Sequence, residues 1–126
     1  MIIAVDFDGT IVEHKYPSIG KEVLFATDTL KLLQESGHRL ILWTSRAGKE
    51  LDEAIAFCEK KGLTFYAVNK NYPEELFDDT ISRKVYADLY LDDRNVGGLP
   101  SWGEIYRIIC PEKNGLKPVK AKKWFF

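Results

Sequence analysis

A chain of 126 residues has the length of one domain, and 45% hydrophobic content supports a packed core and excludes a disordered chain. No apolar run approaches the ~18 residues a membrane span needs, and the N-terminal run lacks the basic flank and length of a signal peptide. A soluble, cytoplasmic protein without a membrane partner is expected. The net charge of −1 excludes a uniformly basic nucleic-acid binder, although it is unevenly spread: Lys113, Lys117, Lys120, Lys122 and Lys123 crowd the C-terminal stretch against one acid, Glu112.

The first element is a strand. Ile2 to Val5 is a short unbroken apolar run, as in a strand buried on both faces of a parallel sheet. It runs into Asp6-Phe7-Asp8-Gly9-Thr10. Alternation along an extended chain points Asp6 and Asp8 one way and Phe7 the other. Ile11 to Gly20, broken by Pro17 and Gly20, reads as a loop or flap carrying Glu13 and His14, for both of which a surface role is expected. Lys21 to Ser36 reads as a helix, with Val23, Ala26, Leu30 and Leu33 on one face and Gly37 placed to end it. Arg39 to Trp43 is a second strand, ending in Thr44-Ser45-Arg46.

Gly48 to about Lys61 is a helix with Leu51, Ala54, Ile55 and Cys58 as its stripe, closed by Gly62. Phe65 to Val68 is a third strand. Residues 69–83 hold Pro73 and four acids and read as a loop with at most a short helix. Tyr86 to Leu91 is a fourth apolar run, interrupted by Asp88 and ending in Asp92-Asp93-Arg94. Ser101-Trp102-Gly103-Glu104 has the spacing of a capping box, Ile105, Ile108 and Ile109 supply the face of a last helix, and Pro111 ends it. Residues 111–126 form a basic tail closed by Trp124-Phe125-Phe126, aromatics expected to dock on the domain or on a neighbour. A solvated tail is preferred to a nucleic-acid partner. Cys58 and Cys110 are isolated and read as buried thiols, outside any zinc or disulfide pattern. The order of elements is that of an α/β domain with a parallel sheet.

Three strands therefore end in polar residues: Asp6 and Asp8, Thr44, and Asp92 with Asp93. In a parallel sheet these ends share one edge, where α/β folds bind ligands. Four carboxylates there repel one another unless a cation compensates, and an oxygen-only ligand set suits Mg²⁺. Thr44 and Ser45 offer hydroxyls and N–H groups to phosphoryl oxygens. No G-x-G-x-x-G follows a strand and no Walker motif occurs.

Asp6-Phe7-Asp8-Gly9-Thr10 resembles the first motif, D-x-D-x-T, of the haloacid dehalogenase (HAD) superfamily of phosphatases. Leu42-Trp43-Thr44-Ser45 resembles its second motif, and Leu89 to Asp93 its fourth in the Asp-Asp form. The order matches over most of the chain. Residues 87–94 also resemble the corresponding segment of the 5′-deoxyribonucleotidases. The resemblance implies a three-layer Rossmann-like sheet with helices on both faces, spanning 1–126 as one domain, and Mg²⁺-dependent hydrolysis of a phosphorylated substrate.

It also implies roles. Asp6 is the nucleophile that forms an aspartyl-phosphate. Asp8 is the acid and base. Thr44, with Ser45, binds phosphate. The metal lies on the Asp6 carboxylate, the Asp8 carbonyl and Asp93, with Asp92 assisting directly or through water. The third-motif lysine is Lys84, with Lys70 as the alternative. Were 85–91 all strand, Lys84 would lie over ~20 Å from Asp92 at ~3.3 Å per residue, so the chain has to fold back there. A receiver domain shares many of these residue types, but its phosphorylated Asp ends the third strand, where this chain has Val68-Asn69. Neither gap between motifs can house a cap domain, since domains rarely fall below ~50 residues. The site is expected to be open, or covered by a second subunit of a homo-oligomer.

Overall fold

The computed structural model describes residues 1–111. Strands β1 (Ile2–Val5), β2 (Arg39–Leu42), β3 (Ala67–Val68) and β4 (Leu89–Leu91) form one parallel sheet in the order β3-β2-β1-β4. Val5 lies opposite Leu42 on one side and Leu91 on the other, so the three strands that carry the polar ends finish level. The helices are α1 (Ala26–Glu35), α2 (Gly48–Lys60) and α3 (Trp102–Ile109).

Strand alternation divides the core in two. Ile3, Val5, Leu40, Leu42 and Leu91 pack with Ala26, Leu30 and Leu33 of α1, Ala54 and Cys58 of α2, and Trp102 and Ile105 of α3. Ala4, Ile41 and Ala67 face the other way, against Val85 and Ala87, with Trp43, Tyr66 and Tyr90 beside them. Each fully buried Leu or Ile contributes about 1.5–3 kcal/mol relative to exposure. The α/β class and parallel sheet are as the sequence indicates, and the arrangement is Rossmann-like in three layers. The helices differ: among the described residues all three lie on the Ile3/Val5 face. Chain direction explains this. The steps β1 to β2 and β2 to β3 move one way across the sheet, and the step β3 to β4 moves back. A right-handed crossover must then run over the opposite face. That crossover, 69–88, lacks helical periodicity and covers the second face as irregular chain.

The ends of the helices follow local chemistry. Gly37 and His38 donate backbone N–H bonds to Gln34 and Leu33, and Gly62 and Leu63 donate to Glu59 and Cys58. Both are Schellman closures, placed as the two glycines indicate. The Ser101 hydroxyl accepts from the Glu104 N–H at 3.3 Å, one half of the capping box.

Strand β2 stops one residue early, at Leu42 rather than Trp43, and three other boundaries differ further from expectation. Helix α1 begins at Ala26 rather than Lys21, because 21–23 pair instead with the flap: Glu13 N–H donates to Lys21 O and Val23 N–H to Ile11 O. Phe25, at φ 66°, then breaks the chain direction, and the Glu22 carboxylate caps the helix by accepting from the Thr27 N–H and hydroxyl. Strand β3 is confined to Ala67–Val68. Strand β4 begins at Leu89 rather than Tyr86, since Tyr90 Oη donates to Val85 O at 2.6 Å and accepts from the Ala87 N–H, folding 85–88 back on the strand. Asp88 sits at the turn, its carboxylate accepting from the Ile2 N–H at 2.7 Å. The basic tail and Trp124-Phe125-Phe126 lie outside the described residues.

Candidate metal and catalytic site

Asp6 follows the last residue of β1 and still pairs with β4, its N–H donating to Leu91 O at 3.0 Å. The chain then turns tightly. Thr10 and Ile11 donate to Phe7 O, and Gly9 donates to Val12 O. Phe7 anchors the turn from inside, fully buried and edge-on to Phe57 at 5.9 Å between centroids. Gly9 has φ +87°, and a Cβ there would run into the His14 imidazole and the Asp93 carboxylate. The turn therefore requires glycine both for backbone conformation and for space.

Thr10 is the hub of the acidic cluster. It is fully buried, and its hydroxyl lies 3.1 Å from Asp6 Oδ2 and 3.1 Å from Asp93 Oδ1, with one proton to share between them. The same oxygen accepts from the Asp93 N–H at 3.0 Å, and Trp102 Nε1 donates to Thr10 O at 3.1 Å. Helix α3 thus clamps the β1 turn against the β4 end. Carboxylate oxygens of Asp6, Asp92 and Asp93 lie within 4.8 Å of one another and could hold a metal ion. All three donors are carboxylate oxygens, the hard ligand type that hard cations prefer.

Electrostatics marks the same group. Burial pushes the Asp6 carboxyl up to about 7, helped by the Asp92 charge and by the hydrogen bond to Asp93. Asp93 moves the other way. Its partial burial is outweighed by hydrogen bonds from His14, Asp6 and Thr10, which hold it below the usual carboxylate range. Carboxyls that close, with values pushed apart, are a recurrent property of functional sites.

Asp6, Asp8, His14, Tyr16, Trp43, Thr44, Ser45, Asp92 and Arg94 line one cleft of about 820 Å³. Asp6 and Asp8 thus open on the same side, as alternation requires. Their carboxylates nevertheless have different partners. Asp8 is held by Arg46, with Nε and Nη2 each 2.8 Å from one of its oxygens. Thr44 is fixed from two directions. Its N–H donates to Asn69 Oδ1 at 2.8 Å, and its hydroxyl oxygen accepts from the Arg46 N–H at 3.1 Å. The hydroxyl proton remains available to the cleft, whereas those two N–H groups are already engaged.

His14 does more than decorate the surface. Its Nε2 lies 2.8 Å from Asp93 Oδ2 while half the ring stays exposed. The residues lining the cleft do not include Lys84 or Lys70. Lys84 is carried back by the 85–88 fold, its Nζ 4.8 Å over the Tyr90 ring. Cys58 is buried and its thiol is pushed up to about 12 by burial, which leaves it inert, while Cys110 is half-buried; the two form no disulfide. No helix among the described residues is long and apolar enough to cross a membrane.

Sequence reasoning passed over three contributors. Thr10 stands inside the D-F-D-G-T stretch, and Arg46 directly follows Thr44-Ser45, so both lay in view without a role. Asn69, at φ 55°, carried only the signal of a residue tolerant of the left-handed region.

No family model matches the chain, and no curated protein matches it. The solved structure of a conserved protein from Bacteroides thetaiotaomicron is similar to it, at 62% identity over 89% of this chain and 91% of that one, with a TM-score of 0.83. At that identity and coverage, this chain belongs to the same family as the conserved Bacteroides thetaiotaomicron protein.

Proposed function

We propose that the protein is a Mg²⁺-dependent phosphatase of the HAD type, working through an aspartyl-phosphate on Asp6. The observation that carries this reading is the cluster of Asp6, Asp92 and Asp93 at the carboxyl edge of the sheet, beside a cleft that also holds Asp8 and Thr44. The resemblance of the D-F-D-G-T, Thr44-Ser45 and Asp92-Asp93 stretches to the HAD motifs supplies the reaction class.

In this reading Asp6 attacks the phosphorus, and the bond from phosphorus to the leaving oxygen breaks. Asp8 gives that oxygen its proton. Water then attacks the phosphorus and gives a proton to the Asp8 carboxylate. The bond to Asp6 breaks, releasing inorganic phosphate and restoring the free Asp6 carboxylate. Thr44, with Ser45, donates to the non-bridging oxygens. Asp6, Asp92 and Asp93, with the Asp8 carbonyl, would hold Mg²⁺, which neutralises charge on the transferring group when bound. Lys84, or Lys70 in its place, adds a second positive charge. The cleft is open to solvent and suits a phosphate ester of undetermined identity.

The test is turnover of p-nitrophenyl phosphate. Wild type with Mg²⁺ is expected to turn over steadily, to stop in EDTA and to recover on adding Mg²⁺. Asp6→Asn is expected to be inactive yet folded, because the amide keeps the shape and loses the nucleophile. Wild-type activity in purified Asp6→Asn, or a wild type that stops after one equivalent, defeats the proposal.

A further inference from the structure

Arg46 is the most completely engaged side chain near the cleft, and the proposed reaction assigns it nothing. It is 2% exposed, yet it carries a charge. A guanidinium has five N–H donors, and here all five are used. Nε–H and one Nη2–H take the two oxygens of Asp8 at 2.8 Å each. The second Nη2–H reaches Ser18 O at 2.7 Å. The Nη1 protons reach Pro17 O at 3.2 Å and Glu50 O at 3.3 Å. The guanidinium also lies 5.1 Å from the Phe7 centroid and 5.1 Å from that of Tyr16.

Such an arrangement is costly to build for stability alone. Desolvating an arginine and a carboxylate offsets much of their attraction, and well-packed apolar residues often serve a fold as well or better. What it gives in return is geometric. A two-point fork fixes both the position and the plane of a carboxylate, which a lysine does not do. Asp8 remains accessible: 17% of its side chain is exposed, and it lines the cleft. Each of its oxygens keeps a second lone pair beyond the one Arg46 uses.

Resting on the phosphatase reading, we infer that Arg46 is a positioning residue. It holds Asp8 in the orientation from which it exchanges protons with the leaving oxygen and with water, and it joins Asp8 to the Tyr16-Pro17-Ser18 flap and to the first turn of α2. The acid, one wall of the cleft and the start of α2 thus form a single rigid unit. Misplacing a catalytic group by about 1 Å costs on the order of 10²-fold.

The experiment compares kcat/KM for two esters in Arg46→Lys and Arg46→Gln. One is p-nitrophenyl phosphate, whose leaving oxygen needs little protonation. The other is an alkyl phosphate such as glycerol phosphate, whose leaving oxygen needs a proton. Thermal melts verify folding. The expected result is a loss of ~10² on the alkyl ester and less than ~10-fold on the aryl ester, as for a misaligned general acid. In an Asp8→Asn background Arg46→Lys is expected to cost nothing further on either ester. Equal losses on both esters in a folded variant, additive losses in the double variant, or failure of both Arg46 variants to fold would reduce Arg46 to a structural residue and overturn the inference. A wild type inactive on both esters, or an active Asp6→Asn, would instead refute the phosphatase reading on which it rests.

Discussion

The Asp6 carboxyl is held between burial, which opposes its charge, and a Thr10 hydroxyl that favours it, and burial wins: its value stands at about 7 against an ordinary 3.8. This has a measurable consequence for the metal-free protein. The folded chain keeps a proton on Asp6 that the unfolded chain has already released. Stability from this group is therefore fully present below 3.8 and is lost as pH rises through about 7. Asp93, Glu22 and Asp78 are shifted downward and act in a lower window. His38, lowered by burial and by the N-terminal amine, opposes Asp6 in part of the same range. Above the lower window of Asp93, which shares a hydrogen bond with Asp6, the difference between wild type and Asp6→Asn reports the Asp6 contribution. In EDTA, the melting temperature of wild type is expected to fall relative to Asp6→Asn between about pH 4 and pH 7. Saturating Mg²⁺ is expected to reverse the trend, since the cation binds the ionised form. Parallel profiles for the two proteins in EDTA would contradict the assigned shift.

The elements place these groups by two simple rules. Alternation sends Ile3 and Val5 to the helical face and Ala4 to the other, and the level strand ends bring Asp6, Thr44 and Asp92 to one edge. The crossover 69–88 is the exception, a layer without helix that carries both candidate lysines. It starts at the carboxyl end of β3, where Lys70 follows Asn69, and ends by folding Lys84 over Tyr90. The fold-back brings the Lys84 ammonium to the Tyr90 ring, two residues before Asp92, while neither lysine lines the cleft. Under the proposed reaction Lys84→Ala is expected to lower turnover by ~10²–10³, the cost of removing a positive charge that stabilises the transferring group, and Lys70→Ala to cost less than ~10-fold. Rates measured on the two variants with p-nitrophenyl phosphate decide between them. A reversed ranking transfers the role to Lys70.

The acidic cluster joins the two ends of the described chain. Asp6 follows β1, Asp92 and Asp93 follow β4, and Trp102 of α3 is buried against the turn after β1. A cation bound there links these parts only in the folded state, so it stabilises the fold by mass action, about 2.7 kcal/mol at a hundredfold excess over Kd. Mg²⁺ is expected to raise the melting temperature of wild type by several degrees. Asp93→Ala is expected to abolish most of that rise and Asp92→Ala a smaller part. Calorimetry of the three proteins with and without Mg²⁺ measures this, and an undiminished rise in Asp93→Ala removes Asp93 from the metal site.

Features carried by neighbours in sequence were legible in advance. The apolar run of β1, the stripes of α1 and α2, the closing glycines and the capping box of α3 each depend on spacings of a few residues, which the chain displays directly. The polar residues at three strand ends, carboxylates after β1 and β4 and Thr44 after β2, were legible for the same reason. Other features depend on residues that meet only after folding. The two-point fork of Arg46 on Asp8, the His14 contact with Asp93, the Asn69 hold on Thr44 and the Trp102 bond to Thr10 leave no local pattern, because nothing in the spacing of an arginine or an asparagine names its distant partner. The shortening of β4 and the irregular layer over the second face were likewise settled in three dimensions. One follows from a tyrosine hydroxyl that binds the backbone before it. The other follows from a right-handed crossover that must return across a sheet whose opposite face the helices already cover.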